Sequence, residues 1–344
     1  MKLEIIVLAP KEQNENVDYG DCIIINDNDY VTVYDCGSEE LAEQVLNYLE
    51  EKNIDKINIV LSHNDSDHFN GIPKLVESGV VNSITTLLLL EYKDEIFEKI
   101  NDNRVTKESL AKNISKLYDN IYSLPNQILK DALSADNNLS ENLKIVGPEQ
   151  DYFIEAVAKQ FTPNESDNVD SSRIMNAISV QLEVSINGEM LLLTGDADFA
   201  AFDDKIKNYD AIQLPHHGNN EMAEMIFEKN EKRNHVLYIV SDNKGKNVNG
   251  GSDKLKVEGH RVMNTKNGTF IINQNNIKPV IIGTLDKYEI HTYRWKKRYW
   301  WNKIKTKVSI WHLQNVYNSI LFWWLYWIKI NSGIHRECNF YKRS

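Results

Sequence analysis

The residues able to do chemistry stand at the ends of three apolar runs. His63, Asp65, Asp67 and His68 crowd into LSHNDSDHFNG at 61–71, directly after INIV at 57–60. Asp196, followed by Asp198, closes LLLTGDAD at 191–198, and His216 and His217 close IQLPHHG at 212–218. Buried carboxylates are costly unless something positive meets them. The crowding therefore asks for a salt-bridge network or a metal ion. In an extended 63–68 backbone, residues 63, 65 and 67 alternate with their neighbours, and a bend would send Asp67 and His68 to opposite sides. One loop could then feed two ions. A bridging carboxylate from Asp196 would hold them about 3.5–4 Å apart, the separation used in phosphoryl and related hydrolyses.

The elements that must position these groups are β-rich at first. LEIIVLA at 3–9, DCIIIN at 21–26 and YVTVYDCG at 30–37 read as strands, and SEELAEQVLNYLEEKN at 38–53 as a helix with Ser38 at its N-cap. Strand, helix, strand is the order of a layered α/β fold. Residues about 90–141 are charged and helical in pattern. They are expected to form an insertion over one face, either a wall on the substrate side or a solvated hairpin away from the chemistry. Strands resume at NLKIVGP (142–148), AISVQLEV (177–184) and EMLLLTGD (189–196), the last two joined by a turn at Asn187-Gly188. DAIQLPHHG (210–218), HVLYIVS (235–241), HRVMNT (260–265) and GTFIIN (268–273) complete a second β-rich half. Sites in layered α/β proteins gather where strands end, so three separate loops could meet.

Composition divides the chain near 286. Residues 287–344 carry twelve Lys and Arg against two Glu, and their +10 leaves −21 on residues 1–286 of a chain totalling −11. All seven tryptophans, Trp295 to Trp327, lie in this extension. HTYRWKKRYWWNKIKTK at 291–307 interleaves bases and aromatics, a mixture suited to phosphate contact and base stacking. NSILFWWLYWI at 318–328 is too short to span a bilayer but could lie in an interface. Three cysteines and the start MKLEIIVLAP, without a signal-peptide pattern, lead to an expected cytoplasmic location.

HNDSDH resembles the H-x-[HD]-x-D-H signature of the metallo-β-lactamase superfamily, in the variant with aspartate at the second histidine. Over about residues 1–275 the chain is most similar to the hydrolase domain of ComEC-type competence proteins and its stand-alone relatives. YGDCIII at 19–25, VTVYDCG at 31–37, NAISVQLEV at 176–184, the TGD and PHHG segments and TKNGTFII at 265–272 all look like that group's motifs. The resemblance implies a four-layer αββα fold carrying the helical insertion and the basic Trp-rich extension. It implies two divalent ions, Zn²⁺ or Mn²⁺, held by His63, Asp65, Asp67, His68, Asp196 and one of His216 and His217. Asp65 makes the set richer in hard oxygen, which moves preference towards Mn²⁺. The nucleophile is then a metal-activated water that Asp67 steers and deprotonates. The partner of His217 or His216 that does not bind metal is expected to donate to a phosphate or to a carboxylate.

By the same resemblance Asp35 supports a ligand histidine; read from the sequence alone it equally caps the turn before Gly37. Asn176 and Ser179 are expected to fix strand and loop geometry. The group's G-H-P segment is missing: DNKGKNVNGGSDKLKVEG follows Ser241, leaving Lys244, Lys246 and Ser252 as polar groups near that place. The expected activity is metal-dependent hydrolysis of phosphodiesters, DNA first, with the extension as a DNA, protein or membrane contact. The alternatives are a dinuclear hydrolase of a small substrate (cyclic nucleotide, lactone or amide) and a catalytically impaired binding protein. The sequence leaves the oligomeric state open.

Overall fold

A computed structural model describes residues 3–277 except 13, 15, 29, 135–138, 163–170 and 244–250, with backbone alone at 171–173. The 287–344 extension and the boundary before it lie outside the described residues. Two sheets carry the fold. The first has seven strands in the order β13-β1-β2-β3-β4-β5-β6: β1 (Glu4–Val7), β2 (Cys22–Asp27), β3 (Tyr30–Cys36), β4 (Ile57–Val60), β5 (Val81–Thr86), β6 (Leu129–Asp131) and β13 (Phe270–Ile272). The second has six in the order β12-β11-β10-β9-β8-β7: β7 (Leu143–Gly147), β8 (Gln181–Ile186), β9 (Glu189–Leu193), β10 (Ala211–Gln213), β11 (Leu237–Val240) and β12 (Arg261–Asn264).

The pairing explains where the site forms. β1 to β3 make an antiparallel meander, after which β4 runs parallel to β3, with Val33 opposite Ile59. In the second sheet β9, β10 and β11 are mutually parallel. Parallel neighbours present their C-terminal ends on one edge. The turns after β3 and β4 therefore emerge together, as do those after β9, β10 and β11. Tyr34 on β3 crosses between the sheets, its hydroxyl donating to Val180 O at 2.7 Å, while Val180 N donates to Ser62 O at 2.8 Å.

Burial follows the pleat. On β9, Leu191 and Leu193 join the core that contains Ile5, Val33 and Ile59, whereas Leu192 between them faces a second cluster with Ile226 and Phe227. Leu237 and Ile239 on β11 alternate with Tyr238 and Val240 in the same way. The second sheet is thus covered on both faces, the outer one by the helix Asn220–Lys229. Helices α1 (Glu39–Lys52) and α3 (Ile72–Glu77), on either side of the short α2 (Ser66–Phe69), add Leu41, Val45, Ile72 and Leu75 to the core. Ser38 caps α1, its side chain accepting from Leu41 N. On β2, Ile23, Ile24 and Ile25 are each 0% exposed, and burying each stabilises the fold by about 1.5–3 kcal/mol.

Two expectations change. Helices α4 (Lys93–Lys99), α5 (Lys107–Leu117) and α6 (Asp119–Tyr122) occupy the charged segment, but it also returns to the sheet: β6 pairs parallel with β5, Ile84 opposite Leu129. Three residues are too few to show a strand period, and the neighbouring edge makes the strand. Nor is the helical segment only a solvated hairpin, since Leu110, Ile114, Tyr118 and Ile121 enter the core. The strand expected over 177–184 begins only at Gln181. Asn176 to Ile178 end a helix, α8 (Ser171–Ile178), after α7 (Gln150–Gln160). Among the described residues no helix is long and apolar enough to cross a membrane.

Candidate metal centre

Three buried imidazoles form a row. The ring centroids of His63 and His68 are 4.2 Å apart, and those of His68 and His217 5.3 Å. Carboxylates stand against each. His63 Nε2 lies 3.5 Å from Asp65 Oδ2, and His217 Nε2 lies 3.1 Å from Asp67 Oδ2. Asp196 sits between, Oδ1 3.6 Å from His68 Nε2 and Oδ2 3.8 Å from His217 Nε2. The Nε2 atoms of His63 and His68 are buried without a hydrogen-bond partner. A buried nitrogen in that state is costly unless it ligates. Among the described residues two groups have all donor atoms within 4.8 Å of one another: His63, His68 and Asp196, and Asp21, His68 and His217. These residues fit divalent cations.

What holds the rings is a pair of aspartates at the β2–β3 hairpin. Asp35, at φ 58°, turns its carboxylate inward at the end of β3. Oδ1 accepts from Ser62 N at 2.7 Å, and Oδ2 meets Ser62 Oγ and His68 Nδ1, each at 2.8 Å. This assigns the proton of His68 to Nδ1 and leaves Nε2 as the donor to a metal. Asp21, just before β2, does the same for His217: Oδ1 is 2.8 Å from Nδ1, with Ser241 O at 3.0 Å. Asp21 Oδ2 accepts from Gln213 Nε2 at 2.9 Å. With both oxygens engaged, Asp21 orients His217 rather than completing a ligand set itself. Asp35→Asn should leave the fold intact and weaken metal binding about 10–100-fold, the usual cost of losing such support. Metal titration of the stripped variant against wild type checks this; unchanged affinity would sink the role.

Asp21 and Gln213 were missed in the sequence. Asp21 reads as the first residue of an apolar strand, and its one signal is an acid abutting CIII. Gln213 lies inside β10, where its Oε1 accepts from Thr194 N at 3.0 Å and Gly195 N at 3.2 Å. It thereby ties the turn that carries Asp196 to Asp21. Asn243 latches the same region, its Nδ2 donating to Leu8 O and Gly20 O. Ser179 Oγ lies 3.4 Å from His63 Nδ1, and Ser62 Oγ lies 3.0 Å from it.

His216 and His217 differ through backbone, not side-chain type. Both adopt left-handed φ, 54° and 55°, which costs a non-glycine residue of order 1–3 kcal/mol. The turn aims the His217 ring at Asp67 and Asp196. His216 instead offers its N–H to Asp196 Oδ1 at 3.1 Å, and its ring centroid is 6.2 Å from that of His217. Its imidazole is in neither donor group. Past Ser241, Asp242 accepts from Ser252 N and Oγ and pairs with Lys266 Nζ at 3.0 Å. The Ser252 hydroxyl is thus engaged, and Lys244 and Lys246 lie outside the described residues.

Electrostatics set the pH response. Burial disfavours a charged His68, yet Asp196 and Asp35 outweigh it and raise its pKa well above the usual imidazole value. For His217 burial likewise acts downward, and Asp21 and Asp196 overcome it. A raised pKa means protonation stabilises the metal-free fold fully below the ordinary value of about 6.5. That stability is lost as pH rises through the raised values. Ligation needs the neutral ring, so metal must displace these protons. Affinity should therefore rise from about pH 6 to about pH 8 with net proton release. Calorimetry in buffers of differing ionisation enthalpy reads this directly, and pH-independent affinity would contradict it.

Residues 16–113 match the family profile described as the metallo-beta-lactamase superfamily. Over that stretch, less than a third of the chain, the sequence is similar to the metallo-β-lactamase superfamily. The match takes in β2 to β5, Asp21, Asp35 and the 63–68 turn, and stops before the turns bearing Asp196 and His217. No curated protein matches the chain. Among solved structures the chain is similar to the metallo-beta-lactamase fold protein YhfI from Bacillus subtilis, at 14% identity and a TM-score of 0.45, covering 79% of this chain and 99% of that one. It is also similar to Igni18, a metallo hydrolase from Ignicoccus hospitalis, at 10% identity and a TM-score of 0.41, covering 78% and 99%. A diphosphatase from the PhnP family gives 10% identity and a TM-score of 0.42 over 81% and 100%. The profile match and the clustered His and Asp donors support a metal-dependent hydrolase.

Proposed function

We propose that the protein is a dinuclear metallohydrolase of a small substrate, a cyclic nucleotide, lactone or amide. The carrying observation is the depth of the centre: His63, His68, His217 and Asp196 are all at most 6% exposed, while the Asp65 side chain alone reaches 45%. A recessed, carboxylate-rich centre in a body of charge −21 suits a compact electrophile better than a polyanionic strand. On this reading His63, Asp65 and Asp196 would hold one ion and Asp67, His68, His217 and Asp196 the other, Zn²⁺ or Mn²⁺. The four-layer αββα order belongs to the same reading.

When bound, the ions supply Lewis-acid activation of substrate and water. The chain's own work is orientation and proton handling. Asp35 and Asp21 keep the Nδ1 protons of His68 and His217 in place. Asp67, 12% exposed and 3.1 Å from His217 Nε2, is the carboxylate beside the buried imidazoles that would take a proton from water. His216 is the group beside that pair to meet the leaving side of the substrate.

The test is elemental analysis of purified protein, followed by hydrolysis of bis(p-nitrophenyl) phosphate, cyclic nucleotides, lactones and plasmid DNA with Mn²⁺ or Zn²⁺. Two metal equivalents and turnover of a small substrate are expected; no metal after reconstitution overturns the reading. A second reading, a ComEC-type DNA nuclease in the cytoplasm, is favoured by the +10, Trp-rich extension. It requires DNA cleavage that falls steeply with salt. Cleavage of DNA with no small-substrate turnover would replace the first reading with the second.

A further inference from the structure

We infer that Asn120 is a positioning residue for the His63–Asp65 half of the centre, so that the α5–α6 segment sets the metal affinity of that half. The inference rests on the metallohydrolase reading above. The two halves are supported unequally. His68 and His217 each have a carboxylate on Nδ1, whereas among the described residues His63 Nδ1 faces the hydroxyls of Ser62 and Ser179. Asp65 is the most exposed of the acids that face the three imidazoles, and its carboxylate meets His63 Nε2 at 3.5 Å. Something else must fix the 63–65 backbone.

That support comes from outside the sheets. Asn64, between the two residues and 7% exposed, donates from Nδ2 to Leu117 O at 2.9 Å and to Asn120 Oδ1 at 2.8 Å. Asn120 Nδ2 donates back to Asn64 O at 3.0 Å. The reciprocal pair holds both the side chain and the carbonyl of Asn64. Fixing that carbonyl fixes the peptide plane leading into Asp65, and hence the direction of its side chain. The other end is anchored too. α5 begins with a Thr106–Ser109 capping box and buries Leu110 and Ile114, and Tyr118 is 1% exposed. Coupling a 63–65 turn to residues 53 and 56 positions away in sequence is a tertiary device, not a turn motif.

The test is calorimetric titration of metal-stripped wild type, Asn120→Ala and the surface control Lys116→Ala with Mn²⁺ or Zn²⁺. In Asn120→Ala one binding event should weaken about 10–100-fold and the other by less than about threefold. Lys116→Ala should match wild type. A purely structural role would shift both events together or change only the melting temperature. In wild type, metal should also slow hydrogen exchange at the 117–122 amides, and His63→Ala should abolish that response; this reading stands even if Asn120→Ala folds poorly. Equal weakening of both events, or no change in either the titration or the exchange, overturns the inference. If wild type itself binds no metal, the metallohydrolase reading fails instead.

Discussion

Asp196→Ala should cut metal content from two equivalents to below one and lower kcat/KM about 10³-fold or more, a loss of roughly 4 kcal/mol of transition-state stabilisation. The carboxylate stands between His68 Nε2 and His217 Nε2, with one oxygen towards each. It also accepts the His216 N–H, so its removal loosens the left-handed turn that aims His217. Burial acts to raise its pKa, but the charges of His217 and His68 prevail and hold it well below the usual carboxylate value. A depressed folded value stabilises the metal-free fold above the ordinary carboxylate range and is lost as pH falls through it. The variant should therefore also lose part of the stability that wild type shows near neutral pH. Elemental analysis and steady-state kinetics on the two proteins decide the matter. Retention of two metals would remove Asp196 from the shared position.

Gly20→Ala should destabilise the protein by about 3–5 kcal/mol through overpacking and an unfavourable φ together. Gly20 has φ 68°, and a β-carbon there would land on the Asp67 carbonyl, 2.7 Å from Asp67 Cα. A β-carbon on Gly37 would meet the same carbonyl, and Asp21 N donates to it at 2.9 Å. The backbone of the metal-binding turn is thus gripped by the β2–β3 hairpin, and it cannot retreat without moving Asp67. Gly79 is the control: its φ is 76° with nothing within 4 Å of an added β-carbon, so alanine there should cost only about 1–2 kcal/mol. Urea unfolding of both variants gives the comparison. Equal effects would show that φ alone, not the grip on Asp67, carries the cost.

The strand ends that bear the histidines were legible because acids and imidazoles directly after apolar runs have few inexpensive explanations. The helix after Ser38 was legible too, since its cap and period agree. The supporting residues were not. Asp21, Gln213 and Asn243 act across sheets, and no local pattern distinguishes them from strand or turn residues. His216 and His217 are identical in type and adjacent, and only the paired left-handed backbone separates a ring in the cluster from an N–H on Asp196. β6 and Asn120 belong to the same class. Their roles exist only once distant edges meet, so a segment read as a helical insertion also supplies an edge strand and a hydrogen-bond partner to Asn64.

The Asp21–His217 contact joins residues 196 positions apart. On a ribosome adding roughly 5–20 residues per second, the histidine emerges about ten to forty seconds after its aspartate. Before His217 emerges, the nascent chain has displayed Asp21, Asp35, Asp65 and Asp67 with two imidazoles of the row, His63 and His68. The N-terminal sheet is itself incomplete then, since its edge strand β13 pairs with β1 and follows His217 in the chain. Metal delivered before the third strand-end turn emerges would meet a half-built cradle.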